Sequence, residues 1–454
     1  MTKIVAHRAA CLAAVLAAGV GAPVGAAEGG MAERQDADAK FQATYVWQRH
    51  GAFAAAYSGP NSLGPEREPR SYTLTATAFV GLRPWQGGEL YFNPELTSSE
   101  SLSDLHGLGG LTNGENQKGG GPNPTIYAAR LFLRQTWNLG GGSEAVESAQ
   151  NQLAGRVDKN RMVLTAGKMS IIDIFDINTY SHDPRTMFLN WTMMAHGAFD
   201  YAADTRGYTW GAAAEWYQDD WVLRAGRFMQ PRESNGPTLD WSIGAHHGDE
   251  VEVEHDHEIG GQPGKARLLA FRNHARMGGF QDALDAWRAN GGAGAPTVAD
   301  VRKEQSKTGY GISFEQAVNS DVGAFLRASR NDGETEAYAF TEVERSLSGG
   351  VSIKGGSWGR PADVVGVGAA RNGLSDAHRR YLAAGGLGAF IGDGPPPPGT
   401  GYRYAAEEIA EGYYDAQVVK GLWVTVDCQR ARHPAYNADR GPVNFAGLRL
   451  HFEY

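Results

Sequence analysis

The chain has 454 residues, a formal net charge of -9, 42% hydrophobic residues and 61 glycines. Glycine at roughly twice average usage disfavours a mainly helical protein, because each glycine in a helix interior costs about 1 kcal/mol. The acidic balance argues against a nucleic-acid partner, and a mean hydropathy of -0.40 with no later apolar run of about 18 residues excludes a bundle of membrane helices.

The N-terminus predicts an export signal. Lys3, His7 and Arg8 are basic, Ala9–Val20 is apolar and small, and Gly25-Ala26-Ala27 supplies small residues for cleavage. Residues 1–27 are therefore expected to be a signal peptide, and 28–454 a single exported domain. Cys11 has no lipobox before it, and its removal would leave Cys428 alone, without a disulfide partner.

Beyond the signal, strand alternation dominates. In Tyr72–Leu82 the even positions Tyr72, Leu74, Ala76, Ala78, Val80 and Leu82 are apolar and Thr73, Thr75 and Thr77 alternate with them. In Ile126–Trp137, Tyr127, Ala129, Leu131, Leu133 and Trp137 share one face, and Arg130 and Arg134 the other. In Leu268–Met277, Leu269, Phe271, Ala275 and Met277 oppose Arg272, His274 and Arg276. At the end, Leu448, Leu450, Phe452 and Tyr454 oppose Arg449, His451 and Glu453.

Further strands are expected at Phe41–Gln48, Glu89–Leu96, Arg161–Lys168, Tyr208–Tyr217, Trp221–Phe228, Tyr310–Ala317, Val322–Ser329, Tyr338–Arg345 and Val351–Gly355. Others are expected at Asp363–Ala369, Tyr404–Ile409, Tyr413–Val419, Leu422–Gln429 and Val443–Tyr454. Strands of about 9–12 residues exceed the soluble mean of about 5–6 and match a tilted membrane crossing. The reading is all-β: a transmembrane antiparallel barrel of about 16 strands, lipid outside and water inside, with 18 as the other strand number. Arg and Glu on the polar face are too many for a dry sandwich core. An aromatic last residue on a terminal strand fits recognition by the barrel assembly machinery.

Some segments break the rhythm. Thr97–Pro124 reads as a long loop, Asp282–Ala289 and Val298–Gln305 as short helical pieces, and Ser375–Ala384 as a short helix capped by Ser375. The four consecutive prolines within Gly392–Gly401 keep that stretch out of any ladder.

Catalytic patterns are missing: there is no GxSxG elbow, HExxH, P-loop or Cys/His zinc spacing, so no enzyme activity and no cofactor is expected. His246, His247, His255 and His257 lie among Asp249, Glu250, Glu252, Glu254 and Asp256. That grouping reads first as a solvated acidic strand and loop, with metal binding left open. Ser170–Asp204 is aromatic and carboxylate-rich and loses the two-residue period. Asp173, Asp176, Asp183, Arg185, Asn190 and Trp191 there offer donors, acceptors and a flat apolar face, the chemistry that holds a sugar; a structural loop stitched by ion pairs fits the same residues equally well.

The ordered set GKMSIIDIFDINTYSHDPRTMFLN (Gly167–Asn190), WGRPADVVGVG (Trp358–Gly368), SDAHRRYLAAGGLGAFIGDG (Ser375–Gly394), YAAEEIAEGYY (Tyr404–Tyr414) and CQRARHPAYNADRGPVNFAGLRLHFEY (Cys428–Tyr454) resembles the carbohydrate-selective porin family, OprB-like. The resemblance implies a 16-stranded barrel of the bacterial outer membrane, narrowed by inward-folded loops, through which mono- and short oligosaccharides diffuse passively. Outer-membrane lipid and the sugar itself are the other expected partners.

Arg130 and Arg134, on the face opposite Leu131 and Leu133, are expected to face the pore, with Arg360 and Asp363 opposing them to set up a transverse field. Trp191 is the expected stacking surface, and Asp173, Asp176, Arg185 and Asn190 complete the expected lining. A general or anion-selective porin without a sugar site is the alternative.

Overall fold

The computed structural model describes residues 34–116, 120–339 and 342–454. The expected signal peptide lies outside the described residues. The chain begins with β1 (Ala37–His50), β2 (Glu68–Trp85), β3 (Gly88–Glu100) and β4 (Thr125–Asn138). A small separate hairpin follows, β5 (Ser143–Val146) and β6 (Gly155–Asp158). Then come β7 (Arg161–Met169), β8 (Thr209–Gln218), β9 (Trp221–Met229), β10 (His247–Ile259), β11 (Gln262–Met277) and β12 (Lys303–Ala317). The last are β13 (Val322–Asn331), β14 (Arg345–Gly355), β15 (Arg360–Gly373), β16 (Glu407–Val419), β17 (Leu422–Arg432) and β18 (Val443–Glu453).

Leaving out the β5–β6 hairpin, each strand pairs antiparallel with the next, and β1 pairs with β18, closing a barrel of 16 strands. Closure removes the unpaired sheet edges that lipid cannot satisfy. Among the described residues no helix is long and apolar enough to cross a membrane. Among the described residues three short α-helices lie in the connections: α1 (Trp191–Met194), α2 (Phe280–Ala289) and α3 (Asp376–Ala383), whose cap is Ser375 as expected.

The wall shows the inverted pattern of a membrane barrel. Leu82, Leu131, Leu223, Leu268, Ile312, Leu326, Val367, Val426 and Leu450 point outward and are exposed. Arg224, Arg267, Arg327, Arg449, Glu252, Glu254, Glu315 and Glu411 point inward and are buried. Connections alternate in length. Residues 86–87, 219–220, 260–261 and 420–421 make short turns at one end, beside the start of β1 and the end of β18. Residues 51–67, 101–124, 170–208, 278–302 and 374–406 make long loops at the other. Short turns face the periplasm in such barrels and long loops face outside.

Several expectations are corrected. The described residues of Tyr338–Arg345 form no strand before Arg345, where β14 starts and goes on to absorb Val351–Gly355. Tyr404–Ile409 and Tyr413–Val419 fall on one strand, β16, which starts at Glu407. Val298–Gln305 holds a single helical turn, Ala299–Val301, before β12. Tyr127 faces inward rather than with Leu131, because the β3–β4 register shifts between Asn93 and Pro94 and leaves Ala129 as an extra residue. A bulge of this kind reverses the facing of everything beyond it.

In β11 the apolar face points inward: Leu269, Phe271, Ala275 and Met277 are buried, and Phe271 meets Phe199 of the 170–208 loop at 5.2 Å between ring centroids. The lumen at this level is packed with protein rather than water.

Candidate functional site: the inward loop and the cavity beside it

The loop 170–208 folds into the lumen and is fastened to the wall on many sides. A buried loop must find partners for its backbone groups, and here charged side chains of the wall supply them. Glu315 of β12 accepts from the Thr179 N–H and hydroxyl at 2.9 and 2.7 Å. Glu411 of β16 accepts from the N–H groups of Leu189 and Asn190 at 2.6 and 3.0 Å. Arg449 of β18 donates to the carbonyls of Pro184 and Met187 at 2.9 and 2.6 Å. Glu252 of β10 accepts from the Asp176 N–H at 2.8 Å.

This accounts for the acidic run in β10. Glu252 and Glu254 point inward and pair with Arg224, and Glu254 pairs also with Arg267. His255 and His257 face outward, against the rings of Trp221 and Phe314. His246 instead binds Asp240 and Glu304 beside the long loops. Among the described residues no group of three or more His, Cys, Asp or Glu side chains is arranged to hold a metal ion.

The sequence-predicted site residues divide into three groups. Arg130 and Asp173 meet directly, through Nε to Oδ2 at 2.7 Å and Nη2 to Oδ1 at 2.6 Å. Burial pushes the Asp173 carboxyl up, but the charge and hydrogen bonds of Arg130 outweigh it and hold the acid below the usual carboxylate range. Arg185 is clamped between Glu95 and Glu115 at 2.7 and 2.9 Å. Both arginines line the lumen with their charge already matched.

A second group is structural. Asp176 is buried and pairs with Arg327 of β13 at 2.8 Å. Asn190 is buried and caps α1 by accepting from the Thr192 N–H at 3.1 Å. Trp191 is only 4% exposed, and its ring stacks on Tyr201 at 6.1 Å and 17°. It borders the cavity but is not the open platform expected of it.

A third group is misplaced. Arg360 and Asp363 pair with each other at the turn end of β15, and Asp363 also accepts from the Tyr414 hydroxyl at 2.5 Å and the Gln417 N–H at 3.0 Å. Tyr414 and Val367 on this face are exposed and point to lipid. These two charges sit on the outer periplasmic rim and oppose nothing in the pore. The sequence lacks the register shift between Lys354 and Gly355 that sets this strand start.

A cavity of about 400 Å³ remains between the loop and the wall of β1, β2 and β4. Gln42, Phe79, Arg130, Phe132 and Arg134 line it from the wall, and Glu115, Asp173, Asp183, Arg185, Trp191, Tyr201 and Arg206 from the loops. Gln150, Asn151 and Gln152 line it from between β5 and β6, a segment at the periplasmic end that sequence reasoning passed over. Its signal was the amide run itself, Gln150-Asn151-Gln152, after the turn Gly140-Gly141-Gly142.

Arg134 donates to the Asn151 carbonyl at 3.0 Å and lies 5.4 Å from the ring centres of Tyr91 and Phe132. Arg206 lies 4.7 Å over the ring of Tyr127. Neither has a carboxylate within ion-pairing distance among the described residues. Asp183 accepts from the Arg185 N–H at 2.9 Å. Burial pushes its carboxyl up, and the nearby Arg185 charge pulls it down further than that.

A second cavity, of about 480 Å³, opens at the periplasmic end under Thr179, Tyr180, Thr186 and Met187 of the loop. Tyr413, Asp415, Trp423 and His451 are among its wall residues. The stretch 179–187 thus hangs between the two spaces.

The model of the carbohydrate-selective porin, OprB family, matches residues 81–454. Among solved structures the chain is similar to the high-pH structure of Pseudomonas putida OprB, at 16% identity and a TM-score of 0.69, over 92% of this chain and 94% of that one. It is also similar to the outer membrane channel DcaP of Acinetobacter baumannii, at 9% identity and a TM-score of 0.51, over 92% and 97%. A sequence comparison with curated proteins returned no match. The family model spans most of the chain, and the fold is the closed barrel that such a channel requires. The chain belongs to the carbohydrate-selective porin, OprB family, and is a sugar-selective channel of the bacterial outer membrane.

Proposed function

We propose that sugars cross through the cavity beside the inward loop, and that Arg134, Arg206 and Asp183 are the charged groups a permeating sugar meets. One observation carries this: Arg130 and Arg185 are in direct ion pairs with carboxylates, whereas among the described residues Arg134 and Arg206 have no carboxylate within ion-pairing distance. A guanidinium offers five N–H donors in a fixed plane, which suits a row of hydroxyls. Gln42, Gln150 and Gln152 add donors and acceptors, and Phe132 and Trp191 meet the C–H faces.

Arg130 and Asp173 act in this reading as a post that holds the start of the loop. Passage involves no covalent step. Affinity is weak, since a solute that enters must also leave.

The test is sugar uptake into proteoliposomes alongside ion conductance. Arg134→Ala and Arg206→Ala should lower sugar flux several-fold while changing conductance less. Wild-type sugar flux in both variants would remove the assignment. An anion-selective channel would instead show an anion preference in its reversal potential, lost in the same variants, with no response to sugar.

A further inference from the structure

The outer wall carries a depression that transport does not use. On the lipid-facing side of β15–β18, a row of residues is held in register across the strands: Val367 opposite Gly412, Gly412 opposite Cys428, and Cys428 opposite Ala446. The next row towards the periplasm is Val365, Tyr414, Val426, Leu448 and Trp47. Small residues beside that row of larger ones leave an open groove of about 840 Å³.

The groove lies near the long-loop end of the wall and ends in a cluster of cations. Arg49, Arg67 and Arg430 border it and are exposed. None of the three has a carboxylate partner among the described residues. Arg430 donates only to Asn444, at 3.2 Å, and Arg49 rests 5.6 Å over the ring of Trp47. The chain as a whole is acidic at -9, so a cluster of unmatched arginines on its lipid-facing side runs against the composition.

An arginine at the level of lipid headgroups is matched by phosphate, which it binds through paired N–H donors. An apolar trough running from those arginines across β18, β17 and β16, with larger side chains along its periplasmic side, is matched by an acyl chain. We propose that this groove holds one phosphorylated lipid of the outer leaflet, its phosphate on Arg49, Arg67 and Arg430 and an acyl chain along Gly412, Cys428 and Ala446. The charge at one end and the apolar trough at the other together select a lipid over a second protein chain, which would need matching carboxylates.

Cys428 is a free, exposed thiol and reports on the site directly. The experiment uses the full barrel in detergent, with diphosphoryl lipid A and its dephosphorylated form as probes. Native mass spectrometry measures lipid retention, and the rate of maleimide alkylation measures access to Cys428. One lipid A per chain is expected, with alkylation slowed when it binds. The triple variant Arg49→Ala, Arg67→Ala, Arg430→Ala should weaken retention about a hundredfold, at roughly a factor of five for each cation lost. Ala446→Leu fills the trough without touching the arginines and should also expel the lipid. Heat-modifiable migration on gels checks that both variants are folded.

Equal retention by wild type and the triple variant would overturn the proposal. So would alkylation indifferent to lipid A, or lipid-free protein whose Cys428 becomes protected as its own concentration rises, which would place a second copy of the chain on this face.

Discussion

Arg327→Ala should release the inward loop without unfolding the barrel. Arg327 is fully buried and makes four bonds to the loop. Its Nε donates to the Asp176 carboxylate at 2.8 Å, Nη1 to the Met193 carbonyl at 2.8 Å, and Nη2 to the carbonyls of Ser181 and Asp176 at 2.7 and 3.3 Å. Removing one partner of a buried ion pair costs about 3–5 kcal/mol, because the other charge is left without a counterpart. The sixteen-strand ladder does not depend on this contact, so the cost falls on local opening of the loop.

Hydrogen exchange reads that quantity directly. Amides of the loop that exchange by local opening should speed up by about a hundredfold to several thousandfold, at tenfold for each 1.4 kcal/mol. Adding Asp176→Asn to Arg327→Ala removes the stranded charge and should recover part of the loss. Single-channel current should rise and become noisier in Arg327→Ala. Exchange within threefold of wild type across residues 173–198 would refute the reasoning.

Other consequences follow from the same geometry. His196 is buried in the loop, and burial, together with Arg327 and Arg267 and against the pull of Asp176, pushes it down to about 4 from an ordinary 6.5. The unfolded state then binds more protons than the folded one as pH falls from about 6.5 to 4. Stability should drop by about 3 kcal/mol across that window, and His196→Asn should flatten the slope in thermal melts. Trp191→Ala removes a packed ring beside Tyr201 and should raise ion conductance rather than simply abolish sugar block. Replacing residues 143–158 with a short turn takes Gln150, Asn151 and Gln152 out of the cavity, and should widen the channel in polymer-exclusion measurements. Arg360→Ala, on the outer rim, should leave sugar flux unchanged in liposomes.

Much of the barrel was legible because membrane strands carry a period of two over long runs. Tyr72–Leu82 and Val443–Tyr454 face as their alternation says, with Thr73, Thr75, Thr77, Arg449 and His451 inward. Where the alternation misled, the cause was local geometry that composition does not carry. One extra residue at Ala129 turned Tyr127 inward. The apolar face of β11 points into the barrel because the loop brings Phe199 and Tyr201 to meet it.

For the site, residue type located the inward loop correctly but could not assign partners within it. Asp173, Asp176 and Asn190 are equally polar in sequence. The fold joins the first to Arg130 at the cavity, the second to a buried arginine, and the third to a helix cap. Arg130 meets a carboxylate and Arg134 a backbone carbonyl, and that is a tertiary fact. Arg206 carried no pattern of its own, and the amide run of 150–152 no sign of where it packs; only folding brings them to the cavity.

The most direct test of the central claim is current block in a planar bilayer, titrated with glucose, glucose oligomers and an uncharged control polyol, on wild type and on Arg134→Ala with Arg206→Ala. The expected result is saturable block by sugars, absent for the polyol and weakened in the double variant. Stable current at every sugar concentration would contradict the account.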